Sequence, residues 1–231
     1  MNEALFLTSY TPIATLQTVV FELTSLWEAP SGVTSVIVHC FGGGGSGGGG
    51  GSQSTYGSGG GAGGQYAAKV VSVTPGNVYT VTIGAGGAAV SGTAGNPGGD
   101  SWFSSSSTVI AKGGVGGQYN SDSGAPGGQG STVGGIGDVV YRGGHGNEGG
   151  IFLSGGGGGG AGFSGSGGDA SFDQGGAGTF PGGDGGYGTQ LEDADGNSGI
   201  TYGGGGGGAR GQFSYSGAGA NGAVILTYMG Y

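Results

Sequence analysis

The acidic loop DADGNSG (193–199) is the segment whose residue types come nearest to a metal site. Asp193, Asp195 and Asn197 have the alternating spacing with which a calcium loop presents oxygen ligands. The sixth place of such a loop is Ser198 instead of glycine, and the twelfth is Gly204 instead of glutamate. In GGIGDVV (134–140) the aspartate stands one place short of the calcium-binding nonapeptide repeat. Both segments therefore read as solvated acidic loops, and no metal is expected. His145 and Glu148 in RGGHGNEGG would suit zinc or acid–base work, but no further ligand type lies near them in sequence. His39 and Cys40 are adjacent in a strand pattern, so their side chains leave opposite faces and cannot share an ion. Matches to GxGxxG around 42–50 arise by chance in a chain with 71 glycines, and neither a following helical pattern nor a GK[ST] is present. The serines of FSGSGG (163–168) match a nucleophile elbow only loosely, with no helix to follow. The expectation is no enzyme and no cofactor.

Recognition is the chemistry that remains. The glycine tracts are interrupted by large side chains at Tyr119, Tyr141, Arg142, His145, Tyr187, Tyr202, Arg210, Phe213 and Tyr215, with Gln118 and Asn120 beside the first. Tyrosine and arginine give rigid contact area at low entropic cost and dominate binding hot spots. These nine are the candidate receptor-binding residues. The competing reading for each is that it caps the glycine segments as part of a core.

What must hold such residues is a chain of 231 residues that is nearly one-third glycine yet 34% hydrophobic. Collagen needs a strict Gly-X-Y period and abundant proline, whereas here there are six prolines and glycine comes in blocks. A flexible linker would carry few apolar residues. With four basic residues and a net charge of −9, nucleic acid and anionic membrane surfaces are excluded as partners. No stretch suits membrane insertion, and the acidic N-terminus does not read as a signal peptide.

The apolar patterning predicts an all-β chain. Strands are expected at 17–24, with Val19, Phe21 and Leu23 on one face, and at 34–41, buried on both faces. YAAKVVSV and VYTVTIG read as a hairpin across TPGN, with Pro75 and Gly76 placed for a type II turn. SWF (101–103), TVIA (108–111) and AVILTY (223–228) complete the set. The arrangement expected is an antiparallel β-sandwich framework whose long excursions, mainly 42–64 and 113–221, are glycine-rich. A glycine run can adopt polyproline-II geometry, and several side by side can bond through their backbones; packed polyglycine-II helices are the expectation. Residues 17–231 are read as this domain and 1–16 as an attachment segment.

WEAPSGVTSVIVHCFGGGGSGGGG, then YAAKVVSVTPGNVYTVTIGAGG, GGDSWF…TVIAKGG and a closing GANGAVILTY resemble, in that order, the glycine-rich domains of bacteriophage tail-fibre and adhesin proteins. The resemblance covers roughly residues 20–231. It implies a glycine-packed scaffold displaying receptor-binding loops, and a place in the virion as a tail fibre or surface spike. Its partners would be a bacterial surface receptor, protein or glycan, and other virion subunits. Such domains also occur in bacterial proteins of unclear role, so the fold is implied more strongly than the function. The alternative function is a structural virion component that touches no receptor. An ice-binding face would need a regular repeat of small residues, which the sequence lacks.

Overall fold

The computed structural model describes residues 13–52, 55–119 and 124–230. Its strands are β1 (Thr15–Phe21), β2 (Ser25–Glu28), β3 (Ser35–Phe41), β4 (Tyr66–Ser72), β5 (Val78–Thr82), β6 (Ser101–Phe103), β7 (Val109–Ala111), β8 (Val139–Tyr141) and β9 (Ala223–Gly230). They form a five-stranded sheet in the order β1-β9-β3-β4-β8 and a four-stranded sheet in the order β2-β5-β6-β7. Every pairing is antiparallel, and the first and last strands lie side by side. The chain is all-β, as its patterning requires.

Alternation along the strands places the core between the sheets. Val36, Val38 and Cys40 of β3 and Val224 and Leu226 of β9 meet Trp27, Val81, Phe103, Val109 and Ala111 from the other sheet. The Trp27 ring packs within 5.6–6.0 Å of the Tyr79, Phe103 and Tyr228 rings. Each such aromatic buries roughly 150–250 Å², which stabilises by about 4–6 kcal/mol at 25 cal/mol per Å².

Three expectations are corrected. The segments flanking TPGN do not pair as a hairpin, because β4 joins β3 in one sheet and β5 joins β2 in the other. The turn itself forms, with Gly76 at φ 78° and the Asn77 N–H bonded to the Thr74 carbonyl. Gly76 and Asn77 also bond Ala29, so the turn is pinned to the start of the four-stranded sheet and arches between layers. The first predicted strand breaks at 22–24, leaving Leu23 exposed and SLWE as a separate strand. β3 is buried on both faces only at its end, since Ile37 reaches solvent whereas Phe41 on the same face is buried.

Beyond the sandwich the strands run on into glycine. Residues 42–50 continue β3, 57–65 lead into β4, 112–118 leave β7 and 214–222 lead into β9. Along 42–50 each N–H turns to a different neighbour. Gly42, Gly45 and Gly48 donate to Gln65, Ala62 and Gly59; Gly43, Ser46 and Gly49 donate to Gly99, Asn96 and Thr93. Gly44, Gly47 and Gly50 donate to Ala220, Gly217 and Ser214. The carbonyls of the same segment accept from three further segments, through Gly87 and Gly92, Gly114 and Gly117, and Gly206 and Ala209. A segment with three residues per turn presents its groups in this rotation. Residues 57–65, 154–161 and 203–209 repeat the pattern, so the interior is a lattice of backbone hydrogen bonds.

Close approach explains the glycines. A Cβ added to Gly44 would strike the Gly204 carbonyl, one on Gly60 that of Gly156, and one on Gly157 that of Gly205. The residues that interrupt these runs, Ser46, Ser58, Ala62, Ser154, Ala161 and Ala209, are small and fully buried. The serine hydroxyls bond neighbouring segments: Ser58 donates to the Gly49 carbonyl at 2.6 Å and Ser154 to that of Gly208 at 2.7 Å.

Candidate functional site

Each lattice segment ends in a turn, and turns alternate between the sandwich and the far end of the lattice. At the sandwich end the turns cover the outer face of β3 and β4. Phe163 lies edge-on to His39 at 4.9 Å and to Phe41 at 5.7 Å, with Phe180 behind it at 6.1 Å. Tyr141 stacks on Tyr66 and Tyr202 packs on Phe41. The Tyr202 hydroxyl donates to Glu22 at 2.7 Å, and that bond, with burial, pushes it up to about 12. Tyr66 and His39 are hydrogen-bonded at 2.7 Å; burial pushes the Tyr66 hydroxyl up to about 12 and holds His39 below its ordinary value. Tyr141 and Tyr202 thus join the sandwich to the lattice.

The distal end differs. Its turns include 150–153, 171–174, 189–194 and 210–215, and phenylalanines stand at the tips of three. Phe152, Phe172 and Phe213 are 60%, 68% and 79% exposed. All three have left-handed backbone, with φ of 63°, 54° and 67°. For a bulky L-residue this costs roughly 1–2 kcal/mol relative to ordinary conformations, and glycine would occupy the same place without that cost. Ile151, Leu191 and Tyr215 are exposed beside them. A groove of about 310 Å³ runs between two of these turns, lined by Glu148, Gly150, Leu153, Ser171 and Phe172 among others.

The distal turns are tied to one another. The Phe152 N–H donates to the Thr55 carbonyl, Ser154 N–H to Thr189, and Gly156 N–H to Phe172. Arg210 is buried, and its Nη1 donates to the carbonyls of Phe152 at 3.2 Å and Gln190 at 2.5 Å. Its guanidinium carbon lies 5.3 Å from the Phe152 ring centroid. Its backbone bridges Gly57 and Ala194, and its carbonyl accepts from the Ser214 hydroxyl. Arg210 therefore clamps the turns at 150–153, 189–194 and 210–215 from below, which corrects its reading as a receptor contact.

The nine candidates separate by position. Phe213 and Tyr215 are exposed on the distal turns, Tyr119 is half-buried where 112–118 reaches that end, and Tyr187 is exposed on the flank. Arg142 forms a two-pronged ion pair with Asp169 at 2.6 and 3.1 Å, and the His145 N–H donates to the same carboxylate at 2.8 Å. The Arg142 bond holds Asp169 below its ordinary range. Asn120 and residues 1–12 of the 1–16 segment lie outside the described residues.

In the acidic loop the carboxylates bond backbone N–H groups. Asp193 accepts from the Gln212 N–H at 2.9 Å and Asp195 from the Tyr215 N–H at 2.7 Å, so both carboxylates pin the last distal turn. His145 Nδ1 accepts from the Gly130 N–H at 3.1 Å. Among the described residues no three metal-binding side chains converge. Cys40 faces the core and His39 the opposite face, as their adjacency predicts.

Sequence reasoning missed Ile151, Phe152, Phe172 and Leu191. The signal was the direction of each glycine run. Runs alternate in direction, so alternate interruptions share an end, and IFL, SFD, QLED and QFSY fall together. No curated protein sequence matches the chain. The glycine-rich domain model matches residues 19–229, spanning both sheets and the whole lattice, and the chain belongs to that glycine-rich domain family.

Proposed function

We propose that the chain is a receptor-binding adhesin of a bacteriophage tail fibre, and that its distal turns contact the bacterial surface. The observation that carries this reading is the placement of Phe152, Phe172 and Phe213 on strained, exposed turn tips. Apolar side chains held outward against a local conformational cost have a use only if something covers them. In this reading the threefold-bonded segments are polyglycine-II helices, and the rigid lattice beneath the turns keeps the ordering cost of binding low. Recognition needs no cofactor and no catalytic step.

The test is binding of the labelled full chain to a panel of bacterial strains, measured by flow cytometry. Phe172→Gly and Phe213→Gly together remove the two most exposed of these rings and relieve their backbones. The expected result is strain-selective binding by the parent, its loss in the double variant, and melting temperatures that stay close. Binding that survives in the double variant would remove the distal turns from the contact. Absence of binding by a folded parent across the panel would favour a structural virion component. An observation compatible with that second reading is the apolar surface at the sandwich, where Leu16, Leu23 and Leu26 are exposed.

A further inference from the structure

The four sheet edges are unequal. β7 and β8 have three residues and β2 has four, whereas β1 has seven. Short edge strands resist pairing with other chains, as do edge charges and prolines. The β1 sequence TLQTVVF has neither charge nor proline. Among the described residues β1 pairs only with β9, so its outer edge presents unmatched backbone donors and acceptors. On one face Leu16, Thr18 and Val20 are exposed, opposite Met229, Thr227 and Ile225 of β9. Met229, Ile37 and Val70 continue that apolar strip and line a groove of about 330 Å³ with Leu16.

We propose that this edge pairs with β1 of a second copy, antiparallel about a twofold axis at Thr18. The pleat limits the register. Residues opposite one another must point to the same face, so even-numbered residues face even-numbered ones. Centring on Thr18 pairs the whole strand, and moving the centre by one residue loses a pair at each end. In this register Leu16 faces Val20 of the second copy, Gln17 faces its Val19, and Thr18 faces its own equivalent. Glu22 falls opposite Ala14, so no charge meets a charge although the chain carries −9 overall. That neutrality, with the Leu16–Val20 contacts made twice, is what fits a second copy. The shared edge is small against the roughly 800 Å² per partner of a standard interface, so the dimer is weak, with Kd on the order of micromolar. The distal turns stay free, and because the two β1 strands run antiparallel, the two lattices point in opposite directions away from the shared edge.

The twofold axis supplies the test. Thr18 is exposed, so Thr18→Glu and Thr18→Lys leave the folded chain intact, which matched melting curves would verify. Each places like charges opposite one another in the dimer. Sedimentation velocity of the full chain from low to high micromolar is expected to show concentration-dependent dimers for the parent and monomers for either variant. An equal mixture of the two variants is expected to dimerise again, because glutamate then faces lysine. A parent that stays monomeric at high micromolar concentration overturns the proposal. So does a dimer that persists in Thr18→Glu, or a mixture that stays monomeric.

Discussion

Replacing Gly60 by alanine tests the lattice directly. Its added methyl would strike the Gly156 carbonyl. That carbonyl accepts the Asn147 N–H at 2.8 Å, and the Asn147 carbonyl accepts the Gly60 N–H at 2.9 Å. Relieving the clash therefore pulls on two hydrogen bonds that share one residue. Overpacking alone costs about 1–3 kcal/mol, and each buried group left unbonded adds about 1–3 kcal/mol. The sum is about 3–9 kcal/mol, comparable to the roughly 5–15 kcal/mol that separates native from unfolded states. Two controls isolate the cause. Gly165 has open space where its Cβ would go and no positive φ, so Gly165→Ala should stabilise by about 0.4–1 kcal/mol through the unfolded state. Gly76 also has open space but φ of 78°, so Gly76→Ala should lose only the roughly 1–2 kcal/mol of left-handed strain. Thermal and urea unfolding followed by circular dichroism would rank the three. A Gly60→Ala protein within about 1 kcal/mol of Gly165→Ala, well below the sum above, would refute the reasoning, since the lattice would then have room for side chains.

Two further outcomes follow from particular side chains. Arg210→Lys should destabilise by about 1.5–3 kcal/mol, because the shorter lysine does not bring its ammonium to the point from which Nη1 donates to both carbonyls and loses the planar face on Phe152; an unchanged urea midpoint would mean that the clamp is not a stabilising contact. Burial holds His39 below its unfolded value of 6.5, so its neutral form is favoured by folding. Its contribution is therefore complete above about pH 6.5 and is lost as pH falls through the folded value. Urea midpoints of the parent should drop across that window, and His39→Gln should flatten the drop; equal slopes for both proteins would assign the effect elsewhere.

Much of the sandwich could be read in the sequence, because apolar, β-branched runs mark β3 and β9 as strands and alternation along β5 reports its faces. Pairing partners were less legible. TPGN encodes a turn, but whether the flanking strands pair or part depends on Ala29, a residue more than forty places earlier that bonds the turn. Cys40 and His39 fell on their expected faces because adjacency in a strand decides that. Arg210 was misread because its partners, the Phe152 and Gln190 carbonyls, are backbone groups that no side-chain pattern reveals. Phe152 and Phe172 were missed because a short interruption between glycine runs has no periodicity, and only the direction of the runs shows which end it reaches.

The lattice separates two properties that most folds mix. In a side-chain core, a change in one loop shifts packing below it, because interdigitated side chains transmit volume changes. Here the contacts below the turns are backbone to backbone, as between Gly44 and Ala220 or Gly60 and Asn147, and they have no side-chain volume to transmit. A turn residue such as Phe172 or Phe213 can therefore be exchanged without repacking the interior. The exception is the group of turns joined by Arg210, where Phe152 contributes both its carbonyl and its ring face to the clamp. Phe152 is accordingly the ring of the three whose loss reaches the scaffold. Phe172 and Phe213, whose rings take no part in the Arg210 clamp, are free to answer to whatever covers them.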